Sequence, residues 1–307
     1  MIVISGSPLE IAEIIQEFEE NSVERQLLEK MNKSEETYRY KSLEHLKFEL
    51  ALRREIVAAA KALNASGMRF SVFHKTETNP DYWDRTGNGG FRSKKDVKAS
   101  DAIRDIFENG SAYATECATA MVIVYYKALL EVWPEETFNK LFPSIYLMNW
   151  HKLHPLIKEV GTPAKVADIL LGDRGYFINP QVDPEVSELQ GENVIILPDG
   201  LFYGHGMGIA DADRIIRVLN ANREEGATES AHFIEGSAAR PNFKKLMEAA
   251  RELAQESVQE PVQEPTQQPT QEATQRPTQR PTQEATQEPT PRSSVLRWRP
   301  FPRPISS

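Results

Sequence analysis

Asn109-Gly-Ser-Ala-Tyr-Ala-Thr-Glu-Cys-Ala-Thr-Ala-Met-Val-Ile-Val-Tyr-Tyr-Lys-Ala-Leu-Leu130 holds the only cysteine of the chain, Cys117. Gly110 and Ser111 interrupt the helical pattern before it, and the run from Ala118 to Leu130 is almost wholly apolar. The spacing predicts a helix from about residue 116 to Leu130, with the Thr115 hydroxyl as N-cap. Cys117 then falls in the first turn. Unpaired backbone N–H groups and the helix dipole favour negative charge there, which predicts a lowered thiol pKa and a populated thiolate. The apolar run would anchor that sulfur rigidly. Two readings stay open from this stretch: a nucleophile suited to acyl transfer, and a small buried cysteine without chemistry.

Working outward, the 307 residues divide by composition. Residues 1–254 read as one globular domain, long enough to bury a substantial core. Residues 255–307 form a low-complexity Gln/Pro/Thr tail with too few apolar groups to offset ordering entropy, which predicts disorder. The formal net charge of −9 speaks against non-specific nucleic-acid binding. A single cysteine excludes an internal disulfide framework and a cysteine-rich zinc site. Met1-Ile-Val-Ile-Ser5 lacks the charge and length of a signal peptide. The best apolar run, Ala120–Tyr126, is cut by Lys127 before it could span a bilayer. The expectation is a soluble chain in a reducing compartment, without membrane, cofactor or metal.

Ile2–Ile4 reads as a strand and residues 8–33 as amphipathic helix. A stronger helix follows the cap Ser42, with apolar positions Leu46, Leu50, Ile56, Val57, Ala60 and Leu63, and stops at Ser66-Gly67. Phe70–His74 alternates as a strand. Residues 78–93, with Trp83 inside them, read as a flexible surface loop or lid. Helix is expected over 97–108, strand over 144–150, irregular chain over 162–190, and helix over 211–225 (capped by Asp211) and 241–254. Between these, Gly191–Leu197, Pro198-Asp-Gly200 and Leu201–Ile209 read as a β-hairpin. With Asp199-Gly200 as the two-residue loop, Val194 lies opposite His205, and Glu192 shares a face with the imidazole. Gly204, Gly206 and Gly208 around His205 signal a bulge or the close approach of another group.

A cysteine nucleophile needs a base and often a third, orienting group. Of the six histidines, His205 is the best placed, with Glu192 on its face and Glu116 as a second carboxylate beside Cys117. Glu116 is equally an ordinary first-turn glutamate. His45 and His74 fall in amphipathic patterns, His232 lies near a short apolar stretch, and His151 and His154 have the spacing of a helical metal pair without further ligands.

On these residues the chain resembles the protein-glutamine γ-glutamyltransferases of spore coats, the small transglutaminases of Bacillus-like spore formers. The resemblance covers about residues 1–240. It rests on Phe48-Glu-Leu-Ala-Leu-Arg53, Ile56-Val-Ala-Ala-Ala-Lys61, Ala102-Ile-Arg-Asp-Ile-Phe-Glu-Asn-Gly110, Glu116-Cys-Ala-Thr-Ala120, Trp150-His151, Gly191-Glu-Asn-Val194 and Gly204-His-Gly-Met-Gly-Ile209. It implies an α/β (α+β) fold with a papain-like core, a mostly antiparallel sheet flanked by helices. It also implies a nucleophile at Cys117, a histidine at His205, an acidic partner at Glu192 with Glu116 as substitute, and a substrate tunnel lined by Phe70 and Trp150. Leu189 departs from the family pattern, where tryptophan is expected. The implied reaction is calcium-independent acyl transfer from glutamine to lysine through a Cys117 thioester. The implied partners are spore coat proteins bearing Gln and Lys, and the implied locations are the mother-cell cytoplasm and the spore coat. A papain-like peptidase or amidase would use the same residues, and a non-catalytic coat scaffold would need none of them. The tail from Gln255 onward carries ten glutamines and no lysine, which leaves two readings open: a passive spacer, and an acyl donor by which the enzyme attaches itself to lysines of neighbouring proteins.

Overall fold

A computed structural model describes residues 1–259. Of the tail expected to be disordered from residue 255, residues 255–259 continue the last helix, and residues 260–307 with their glutamines lie outside the described residues. Seven α-helices occur among the described residues: α1 (Val23–Lys33), α2 (Leu43–Ala65), α3 (Ala99–Glu108), α4 (Cys117–Val132), α5 (Glu135–Leu141), α6 (Ala212–Asn220) and α7 (Phe243–Gln259). The last runs past the expected end at residue 254.

The centre is α4. Its residues from Ala118 to Tyr126 are all buried, as are Ala128, Leu129 and Leu130. A helix apolar on every side must be enclosed, and here α2 and the strand Gly191–Ile196 pack against it. Ser42 starts α2 as expected, its hydroxyl accepting from the His45 N–H at 3.2 Å. All six apolar positions named for α2 are buried, and Gly67 takes φ +84° just beyond its end. Asp211 caps α6 by accepting from Arg214 N–H.

The main sheet has five antiparallel strands in the order Gly208–Asp211, Leu201–Gly204, Gly191–Ile196, Arg174–Ile178 and His232–Phe233. A small sheet at the chain start pairs Ile2–Ile4 parallel to Tyr38–Tyr40. The fold is thus mixed helix and antiparallel sheet, as expected.

Several local expectations are corrected. The N-cap of α4 is Glu116, whose carboxylate accepts from the Ala118 and Thr119 N–H groups at 2.5 and 2.7 Å. Thr115 instead ends the short strand Ala114–Thr115, paired in parallel with Arg69–Phe70. The strand expected over Phe70–His74 is therefore only Arg69–Phe70, followed by a 3-10 turn at Phe73–Lys75. Residues 78–93 are not a flexible lid. They contain the paired strands Trp83–Arg85 and Phe91–Ser93, and the Trp83 indole is buried with its N–H donating to the Ala102 carbonyl at 3.2 Å. The strand expected over 144–150 is confined to Tyr146–Leu147. Residues 162–190 are not wholly irregular, because Arg174–Ile178 is an inner strand of the main sheet.

The hairpin register is shifted by one. Its loop is Pro198–Gly200, with Asp199 left-handed at φ 60°, so Val194 lies opposite Gly204 and Ile196 opposite Phe202. The run Leu201–Ile209 is also not one strand. It folds back at residues 205–207, pairing Gly204 with Gly208.

Candidate active site

Cys117 is the first residue of α4 and lies in the wall of a cavity of about 730 Å³, together with Phe70, Glu116, Trp150, Arg174 and Asn193. Cys117 as a residue is partly exposed. Its Sγ accepts a hydrogen bond from Asn193 Nδ2 at 3.5 Å. The expectation of a lowered thiol pKa is overturned. Burial pushes the thiol up to about 12, the nearby Glu192 and Glu116 carboxylates push the same way, and the Asn193 donors oppose them. Removing a sulfur from water and setting two acids beside it outweighs its place at a helix N-terminus.

Glu192 is 3% exposed. Burial raises its carboxyl well above the usual range, the Glu116 charge adds to this, and the His205 backbone N–H works against it. Among the described residues no donor reaches Glu192 Oε1. The glycines around His205 now find their reason. A Cβ on Gly204 would stand 2.9 Å from both Cγ and Oε1 of Glu192, and one on Gly206 would stand 3.1 Å from the Phe70 side chain. The approaching groups are thus the acid and the aromatic wall. Gly206, at φ +101°, is also the residue that lets the chain turn back.

Glu116 is occupied as the α4 cap, held by Ala118, Thr119 and the Asn149 backbone. Burial nevertheless raises its carboxyl. His205 is buried, and both ring nitrogens are engaged: Nδ1 lies 3.2 Å from the Tyr203 hydroxyl and Nε2 lies 3.2 Å from the Arg69 carbonyl. A carbonyl only accepts, so Nε2 carries the proton and Nδ1 accepts from Tyr203. Burial lowers the imidazole to about 4, against the Arg69 and Thr115 backbone bonds. The structure therefore brings Cys117, Glu192 and Glu116 together, and holds the His205 ring through Tyr203 and Arg69.

Phe70 is 38% exposed at the cavity edge, 6.3 Å from the His205 ring. Trp150 lies under the Arg174 guanidinium, 4.5 Å away. Leu189 packs beside the cluster around Phe177, and Ser187, Glu188 and Gln190 border the cavity instead. His154 caps a 3-10 turn and packs on Phe142, while His151 is exposed. Among the described residues no group of three or more His, Cys, Asp or Glu could hold a metal. Sequence reasoning misses Asn193, Arg174 and Tyr203. For Asn193 and Tyr203 the only signal is proximity to Glu192 and His205 within the hairpin, and the strand that carries Arg174 has none.

A half-buried cysteine at a helix start, influenced by two acids and lining a cavity, is the arrangement a nucleophilic cysteine requires. Residues 1–250 match the model of the family described as protein-glutamine gamma-glutamyltransferase. The chain belongs to this family. A member from Halalkalibacterium halodurans is 40% identical over 233 residues, covering 76% of this chain and 80% of its own. One from Bacillus cereus strain B4264 is 43% identical over 239 residues, covering 76% and 84%. Among solved structures, a transglutaminase from Geobacillus stearothermophilus without its C-terminal extension matches with a TM-score of 0.64 and 45% identity, over 68% of this chain and 99% of that one.

Proposed function

We propose that this family member joins protein glutamines to lysines by a two-step exchange at Cys117, with residues 1–254 as the catalytic domain. The observation that carries the mechanism is a half-buried thiol close enough to the buried Glu192 carboxyl to be raised by its charge, while Glu192 Oε1 has no hydrogen-bond partner among the described residues. Glu192 takes the thiol proton as Sγ attacks the glutamine carboxamide carbon. A carboxyl raised by burial holds a proton more readily than an exposed one, which suits it to accept and then return one. Glu116 consumes the Ala118 and Thr119 N–H groups, leaving the Cys117 N–H of the first turn to donate to the developing oxyanion. The C–N bond then breaks, Glu192 returns the proton to the departing nitrogen, and ammonia leaves a thioester. A lysine amine enters, forms the new C–N bond, loses a proton to Glu192 and expels the sulfur.

The sequence pointed to His205 as the carrier of these protons. With Nδ1 taken by Tyr203, the imidazole instead steadies the turn whose backbone N–H reaches Glu192. Glu116 is the substitute carboxylate, while Phe70 and Trp150 line the route to the sulfur. The enzyme works without calcium, a reading supported by the absence of any EF-hand-type pattern in the sequence and by a reaction that needs no Lewis acid. Its substrates are spore coat proteins carrying Gln and Lys, met in the mother-cell cytoplasm and on the coat. Support for this comes from the sequence resemblance and from relatives in Bacillus. No helix among the described residues is long and apolar enough to cross a membrane.

Incorporation of a fluorescent primary amine into a glutamine peptide, by wild type and by Cys117→Ala with EDTA present, tests the reading. Transfer by wild type alone is expected. Ammonia release without amine incorporation would make the chain an amidase. Inactivity with very slow alkylation of Cys117 would make it a scaffold.

A further inference from the structure

Arg174 is a buried cation with one unexplained end. It is 3% exposed. Its Nε donates to the Val160 carbonyl at 3.0 Å and its Nη1 to Asn193 Oδ1 at 2.7 Å. No acceptor among the described residues reaches its Nη2. Burying a guanidinium is costly unless it does something a neutral side chain cannot. In the strand pair, Arg174 is opposite Ile195 and Tyr176 is opposite Asn193. Asn193 is therefore the diagonal neighbour of Arg174 on one face, within reach of a long side chain. The far side of the same amide donates to Cys117 Sγ at 3.5 Å.

The consequence lies in the amide's orientation. An asparagine can be turned end for end at little cost unless its partners differ in kind. Here they do: guanidinium only donates, so Oδ1 must face Arg174 and Nδ2–H must face the sulfur. The turned amide would set two donors against each other and an oxygen lone pair against the sulfur.

We propose that Asn193 is a catalytic residue, its Nδ2–H stabilising the Cys117 thiolate and then the oxyanion of the tetrahedral intermediate, and that Arg174 is the positioning residue that aims it. The inference rests on the acyl-transfer reading above. As the Sγ–C bond forms, the carbonyl pair moves onto oxygen, within reach of a donor already directed at Sγ. As the C–N bond breaks, that pair returns. Asn193 gives up no proton, and the leaving nitrogen takes its proton from Glu192.

The test uses the full chain with Asn193→Ala, Asn193→Asp, Arg174→Gln and Arg174→Lys. The rate of iodoacetamide alkylation against pH reads thiol ionisation independently of turnover. Amine incorporation into a glutamine peptide separates kcat from KM, and thermal melts report folding. Asn193→Ala is expected to move the alkylation midpoint upward and to lower kcat about 10²- to 10³-fold, the cost of losing one oxyanion donor, with KM little changed. Asn193→Asp keeps the size and the Arg174 bond but turns an acceptor toward the sulfur, so its midpoint moves further, and it carries the test if the alanine variant does not fold. Arg174→Gln moves both quantities in the same direction by less, and Arg174→Lys recovers part. An unmoved alkylation profile and kcat in Asn193→Ala or Asn193→Asp overturns the proposal, as does a loss confined to KM or to melting temperature. A wild type that transfers no amine sinks the acyl-transfer reading itself, whereas an active Asn193 variant sinks only this one.

Discussion

Glu192→Gln separates the proposed proton carrier from a merely structural acid, because two measurements should move in opposite directions. Glu192 is the largest contributor after burial to the raised Cys117 thiol, which stands at about 12. The amide is the same size and removes that like charge, so the thiol pKa must fall. A thiol pKa lower by one corresponds to about 1.4 kcal/mol and roughly ten times more thiolate at fixed pH. The gain appears on the alkaline side, where the wild-type carboxyl is ionised. Alkylation of Cys117 is therefore expected to quicken in the same proportion. Amine transfer should slow by about 10²- to 10⁴-fold, the usual worth of a positioned acid–base group. Iodoacetamide kinetics from about pH 7 to 10, spanning the ordinary thiol range, make the comparison beside steady-state transfer. Slower alkylation together with slower transfer would indicate a damaged fold. Transfer at the wild-type rate would refute the assignment of Glu192.

Gly204→Ala sets a methyl 2.9 Å from Glu192 Cγ and Oε1. Displacing that carboxyl should lower kcat on the order of tenfold or more, measured as amine transfer by a variant that still melts cooperatively. Glu116→Ala removes the cap of α4 and should cost about 0.5–2 kcal/mol, read from urea midpoints. For the pH dependence, folding lowers His205 from 6.5 to about 4, so the unfolded chain binds the extra proton between those values. The contribution is complete above about pH 6.5 and is lost as pH falls toward 4. His205→Asn should flatten the fall of Tm over that window, while His45 and His154, also lowered by burial, retain part of the slope.

Much of the site can be read from the chain, because Cys117 opens a helix too apolar to lie anywhere but inside. The cap falls one residue later than the sequence suggests because a threonine hydroxyl is the commoner cap, and because the Thr115 backbone is committed to a strand with Phe70. The register of the hairpin fails for a related reason. Asp199-Gly200 has the composition of a two-residue turn, but Pro198 joins the loop and Asp199 alone among its non-glycine residues turns left-handed. Arg174–Ile178 escapes a reading of the sequence because it opens with an arginine and a glycine, and only Asn193, Val160 and Trp150 explain a buried cation there. The turn glycines do mark close approach, as their pattern suggests. What approaches cannot be known before Glu192 and Phe70 are placed.

The crowding between Glu192 and Gly204 has a consequence for the lineage. Far apart in the chain, they occupy one parcel of space, and a larger residue at 204 requires the Glu192 side chain to move. A descendant that shortens the acid to aspartate opens room for a side chain in place of Gly204. In one that keeps glutamate, any side chain there displaces the carboxyl. The two positions are therefore sterically coupled, and an effort to move the acid by design has to treat them together.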